Sequence, residues 1–183
     1  MIFGFNIDDV LRNTSERIWT FYTREYPDSS LKLEDINIGD LQTSLGLSTD
    51  QYQEFIDDYI LEIFGSANDQ YKNSNKDFNV LVKFLAEYGH ECVIIQKESG
   101  KIKNATLYFI SDRCIDINHI HFINDNNFWA YCDVLITSNP NLLKLSNKKI
   151  KVEREYNKDI KCKISINDIK DIFNLDLNNI KYE

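Results

Sequence analysis

The sequence predicts a three-layer α/β domain: a mainly parallel sheet covered by helices on both faces, with one small helical insertion. Three observations lead there. Short apolar runs of strand length, from Met1 to Phe5, Cys92 to Gln96 and Cys132 to Thr137, read as buried strands. Segments with apolar residues at helical spacing lie between them, and strands alternating with helices imply parallel pairing through right-handed crossovers. Polar and acidic side chains gather where the first strand ends, in Asn6-Ile-Asp-Asp9, and open α/β sheets bind ligands at the carboxyl ends of their strands. At 183 residues, with 43% hydrophobic and 13% aromatic content, the chain suits one domain with a substantial core.

In chain order, Asn13-Thr-Ser-Glu16 has the spacing of a capping box, with Asn at the cap. Ile18, Trp19, Phe21, Tyr22 and Tyr26 recur behind it at helical spacing until Pro27 stops the run. Residues 28–47 are polar and irregular, with scattered Leu and Ile, and 28–76 is the expected insertion, a small helical cap. Ser48-Thr-Asp-Gln51 is a second capping box. Tyr52, Phe55, Ile56, Tyr59, Ile60 and Ile63 follow as the strongest helical stripe in the chain, read as core, with Gly65 as its stop. Residues 67–76 read as a polar loop. Phe78, Leu81, Val82, Leu85 and Tyr88 mark a helix ending at Gly89, and Asn104 to Ser111 another.

His119 to Ile123 alternates with period two, Ser138-Asn-Pro-Asn141 is a turn, and Ile150-Lys-Val152 reads as a short edge-like strand. Ser165-Ile-Asn-Asp168 opens a last helix carrying Ile169 and Phe173, and the Asn-rich tail from 174 to 183 is expected to fray.

Bulk properties narrow the function. A net charge of −8 argues against a nucleic-acid binder held by phosphate contacts. The longest apolar runs are strand length, so no membrane span is expected. Met1 to Phe5 has no basic n-region and no cleavage site, which predicts a chain not exported by a signal peptide. Cys92, Cys114, Cys132 and Cys162 form no CxxC pair. Cys92 and Cys132 begin or flank apolar runs and read as small buried hydrophobes rather than as zinc or disulfide partners, and the pattern suits a reducing compartment.

Asn6-Ile-Asp-Asp-Val-Leu11 resembles the Asp-x-Asp-Gly-Val/Thr-Leu opening of the haloacid dehalogenase-like superfamily. In that family the first Asp attacks phosphorus and the second shuttles the proton. The resemblance covers nearly the whole chain, is closest to the 5′-nucleotidase-like branch, and implies a Rossmann-like sheet. It sets Gln96 where a Ser or Thr hydroxyl is usual, and Lys101 or Lys103 as the phosphate-holding base ahead of Asn104 to Phe109. It sets Asp133-Val-Leu-Ile-Thr-Ser-Asn-Pro140 where the family has an acidic motif like Asp-Val-Leu-Ile-Asp-Asp-Asn-Pro, so Thr137 and Ser138 replace the magnesium-binding acids. Asn6 is a neutral amide with no anionic oxygen for attack or strong metal binding, and Gln96 lacks the hydroxyl.

With these departures the resemblance implies a catalytically degenerate domain. It has a vestigial site of Asn6, Asp8, Gln96 and Lys103, no cofactor, and a structural or interaction role with protein partners. Short degenerate members of this kind turn up in bacteriophage genomes, which points to a viral structural or accessory protein, cytoplasmic or virion-associated. Two alternatives stand beside it. One is a magnesium-dependent nucleotide phosphatase, with Asp8 and Asp9 as weak metal ligands. The other is a non-catalytic binder of phosphate or nucleotide, held by the N–H groups around residues 9–12 and a lysine. Plainer readings also remain: Asp8 as a helix cap, Lys101 and Lys103 as a solvated helix start, and His119 with His121 as a metal pair lacking its third ligand.

Overall fold

A computed structural model of the chain describes residues 1–66, 72–146 and 148–177, without the side chains of 72–75. The expected loop at 67–76 falls partly outside those residues, as does the tail from 178. The order of elements is β1 (Ile2–Phe5), α1 (Thr14–Glu25), α2 (Leu41–Leu45), α3 (Thr49–Phe64), α4 (Lys72–Glu87), β2 (Glu91–Gln96), α5 (Gly100–Asp112), β3 (His119–Phe122), β4 (Val134–Thr137), α6 (Pro140–Leu143), β5 (Lys149–Val152) and β6 (Ser165–Ile166), with 3-10 turns between them. The six strands form one sheet in the order β3-β2-β1-β4-β5-β6, every pair parallel. This is the expected Rossmann-like α/β fold. The chain leaves β1 leftward to β2 and β3, then returns across it to β4, β5 and β6. The reversal at β1 is where such sheets open a crevice at the strand ends.

Alternate residues of the strands face opposite sides. Phe3, Phe5, Ile94, Val134, Ile136, Ile150 and Val152 pack with Phe78, Leu81 and Leu85 of α4, with Phe109 and Ile110 of α5, and with the 3-10 turn Ile169–Asn174. The other face is thinner: Val93, Ile95 and Leu135 lie under Phe128, Cys132 and Leu142, from a 3-10 turn and the four-residue α6. Gly4 points to this face because no side chain fits there: a Cβ would sit 2.7 Å from Cys132 Sγ and 2.8 Å from Ile95 Cδ1. Cys92 and Cys132 are buried as expected, and burial pushes both thiols up to about 12.

A third cluster joins α1, α3 and α5 through Ile18, Tyr22, Phe55, Ile56, Ile63 and Ala105, and takes in Ile36 and Leu45 from the irregular stretch. The stretch 28–47 contains a 3-10 turn, Leu33–Asp35, and α2. The boundary at 76 runs into α4, which belongs to the sheet. The helix of 49–64 starts with the predicted capping box: Gln51 N–H donates to Ser48 Oγ, and Ser48 N–H to Gln51 Oε1.

Several expectations are corrected. Ile150–Val152 is not an edge: β5 is buried between β4 and β6, and the edge is the two-residue β6. Ser165 therefore opens a strand. The helix behind it is a 3-10 turn, capped by Asp168, whose carboxylate accepts from Lys170 N–H. Asn13 does not cap α1 with its side chain, which donates to Glu16 Oε2 at 2.6 Å instead. The cap comes from Asp9, whose Oδ1 accepts Ser15 N–H at 2.9 Å.

Candidate functional site

Because β1 lies between β2 and β4, the residues at the carboxyl ends of these three strands meet. Asn6, Gln96 and Thr137 come together, all buried. Asn6 Nδ2 donates to the Ile95 carbonyl at 2.6 Å and to Gln96 Oε1 at 3.2 Å, and Asn6 Oδ1 accepts from Thr137 Oγ1 at 2.5 Å. One side of this amide thus faces two acceptors and the other a donor. An aspartate here would turn an anionic oxygen onto a backbone carbonyl.

Gln96 carries the network outward. Its Oε1 also accepts Ile7 N–H at 3.0 Å, and its Nε2 donates to Asp8 Oδ2 at 2.8 Å and Glu98 Oε1 at 3.0 Å. Arg12 closes the network. It is the largest fully buried side chain among the described residues and lies over the rings of Phe64 and Phe109. Its guanidinium donates to Asp8 Oδ1 at 2.6 Å, Glu98 Oε1 at 3.2 Å, Thr14 Oγ1, Thr106 Oγ1 and the Phe64 carbonyl. Asp8 Oδ1 also accepts from Thr14 at 2.5 Å. Burial raises the Asp8 pKa, but Arg12 and these hydrogen bonds outweigh it and hold the carboxyl below its ordinary range. Glu98 moves the other way: burial and the nearby Asp8 charge raise it more than Arg12 lowers it.

On the far side of the turn, Asp9 is buried with φ at +54°, a left-handed backbone that glycine adopts freely and aspartate at a modest cost. Its side chain offsets that cost by capping Ser15 and accepting from Tyr156 Oη at 2.7 Å, while Arg154 donates to its carbonyl. Burial raises the Asp9 pKa; burial and the Asp9 carboxylate push Tyr156 well up. Ser138 Oγ donates to the Asp8 carbonyl, and Asn157 Nδ2 to the carbonyls of Ser138 and Val152, tying β4 and β5 to the same knot.

A cleft of about 300 Å³ opens above this network, lined by Asn6, Asp8, Gln96, Lys97, Asn139 and Phe128 and roofed in part by Ile38 and Gly39. The roof is tied down where Asn141 Nδ2 donates to the Gly39 carbonyl at 2.9 Å. The structure therefore gathers Asn6, Asp8, Gln96, Thr137 and Ser138. It does not bring the predicted lysines with them: Lys103 lies over the Phe122 ring, and Lys101 pairs with Asp57 at 2.7 Å. The cation beside Asp8 is Arg12.

The expected anion cradle is filled from within. Asp9 N–H donates to the Arg12 carbonyl, and the N–H groups of Val10, Leu11 and Arg12 donate to the Ile7 carbonyl. Magnesium fits this site poorly. Both Asp8 oxygens and Asn6 Oδ1 already accept hydrogen bonds, and Asp9 points away to Ser15 and Tyr156. Among the described residues no three His, Cys, Asp or Glu side chains converge as metal ligands, and the His121 ring lies tilted against that of Tyr131. No described helix is long and apolar enough to cross a membrane.

Sequence reasoning missed Arg12, Glu98, Arg154, Tyr156 and Asn157. The first had a usable signal: an arginine directly behind Val10-Leu11, in a turn with two acids. No family model matches this sequence, and no curated protein matches it.

Proposed function

We propose that this chain is a catalytically degenerate haloacid dehalogenase-like domain, nearest the 5′-nucleotidase-like branch, that works as a structural or protein-interaction module. A viral structural or accessory setting suits it by analogy. One observation carries the reading. Where a phosphatase needs a free carboxylate, the first strand ends in an amide whose nitrogen and oxygen both hold neighbouring strands. The group that would attack phosphorus is instead a clamp across β1, β2 and β4.

Two further features support the ancestry. The chain turns left-handed at Asp9, at the place where the family carries glycine, which adopts that backbone without strain. Asp8, in the acid/base position, faces the cleft but is locked to a permanent cation. A carboxylate held ionised this way is a poor proton donor near neutral pH.

The test is hydrolysis of a panel of nucleoside monophosphates and an aryl phosphate with magnesium. Wild type and Asn6→Asp are both expected to show no turnover above buffer. Magnesium-dependent turnover by wild type that disappears in Asp8→Asn would overturn the reading in favour of an active phosphatase.

A further inference from the structure

The net charge of −8 conceals two regions of opposite sign. Residues 144–163 hold eight Lys and Arg against three acids, a surplus of five positive charges. Lys144, Lys148, Lys161 and Lys163 are exposed there. Lys144 and Lys148 sit on the chain entering β5, and Lys161 and Lys163 on the chain entering β6. Lys149 and Lys151 are engaged internally, with the Leu143 carbonyl and with Glu153 and the Ile160 carbonyl. The four exposed lysines form no ion pair with the described residues.

The helix α3 is the counterpart: five acids and no Lys or Arg in Thr49–Phe64. Asp50, Glu54 and Asp58 are exposed and spaced by four, so they share one face up to the break in the helix at Tyr59, and Glu62 is exposed beyond it. Like charges at that spacing weaken a helix, and acids in its last turns oppose its dipole. Asp57 is paired with Lys101, but Asp50, Glu54 and Asp58 have no side-chain partner among the described residues. Among the described residues three of these acids are left without a cation, so the face is open to one from outside the chain.

We propose that the acidic face of α3 docks onto the lysine strip at the β5–β6 edge of a second copy of this chain. The proposal rests on the structural-module reading and names its partner. The two surfaces match in sign. They also lie apart. α3 packs on α1 and α5 and meets Arg12 through the Phe64 carbonyl beyond the carboxyl ends of the strands, whereas the lysines lie at the amino ends of β5 and β6. A contact between different surfaces leaves each copy with one free donor and one free acceptor face, so it propagates into rings or filaments.

Sedimentation velocity on the full chain tests this. At about 0.02 M salt the mass should climb with concentration above the 21.5 kDa protomer, and at about 0.5 M salt it should return to that value. Glu54→Lys with Asp58→Lys, and separately Lys148→Glu with Lys163→Glu, should each be monomeric at low salt and melt cooperatively like wild type. An equimolar mixture should associate again. A wild-type monomer at low salt, or association that survives both charge reversals, overturns the proposal. So does a labelled single-stranded oligonucleotide bound through the lysine strip by a protein that does not self-associate. Phosphate release measured on the same samples separates failure of this contact from failure of the module reading.

Discussion

Phe5 and Asn6 are neighbours in the chain and both are buried, yet they belong to regions built on different terms. Phe5 sits edge-on to Phe78 in an apolar layer, where volume and shape decide what fits. Asn6 sits in a polar knot, where each atom's role as donor or acceptor decides. The apolar layer tolerates exchange of one hydrocarbon for another of equal size. The knot tolerates almost nothing, because one changed atom leaves a buried partner unsatisfied. The same three strands carry both regions. The sheet is thus held by packing along its length and by hydrogen bonds at its carboxyl end.

The contrast breaks most visibly at Arg12. Arg12→Met keeps much of the apolar stem but strands Asp8, Glu98, the Phe64 carbonyl and Thr106. Removing one partner of a buried charge cluster costs about 3–5 kcal/mol. Urea denaturation should show that loss at neutral pH. It should shrink as the pH falls, because two carboxyls without their cation have raised pKa values and regain stability as they protonate. A loss that is small and independent of pH would show that packing, not charge, holds this end of the sheet.

A matched pair of isosteric changes sharpens the contrast. Asn6→Asp changes one atom and sets an anionic oxygen against the Ile95 carbonyl and Gln96 Oε1. The expected cost is roughly 3 kcal/mol near neutral pH, easing on acidification. Ile94→Leu, two residues before Gln96 in the fully buried layer, rearranges a branch at constant volume and should cost under about 1.5 kcal/mol. Chemical denaturation of the two variants in one buffer gives both numbers. Equal losses would erase the distinction between the regions.

The same distinction explains what could be read in advance. The apolar layer was legible because burial writes itself as runs and periods: Ile2–Phe5, Glu91–Gln96, Val134–Thr137 and the stripe of α3 all stand where the pattern placed them. The knot is legible only through the motif resemblance, which sets Asn6, Gln96, Thr137 and Ser138 together; the spacing alone marks only acids at a strand end. Arg12, Glu98 and Tyr156 stay hidden, since a charged or phenolic residue reads as solvated until the fold closes over it. The two-residue β6 and the single turn of α6 are too short to leave a period, and β5 reads as an edge because no pattern in the sequence marks its outer neighbour.

The smallest expected effect concerns Glu98, whose side chain is 6% exposed and whose Oε2 has no hydrogen-bond partner among the described residues. Burial and the Asp8 charge raise its pKa, so the folded state favours the protonated carboxyl. A raised pKa contributes stability below the unfolded value and withdraws it as pH rises through the folded one. Glu98 is therefore a liability at neutral pH, whereas Asp8, with its lowered pKa, stabilises there and fails only in stronger acid. Glu98→Gln imitates the protonated form and keeps an oxygen in place of Oε1. Its melting temperature should match or slightly exceed that of wild type at neutral pH. The difference should vanish on acidification toward the carboxylate range, where wild-type Glu98 carries its own proton. A variant clearly less stable than wild type at neutral pH would mean that the Arg12–Glu98 pair outweighs burial, and that the knot needs both carboxylates charged.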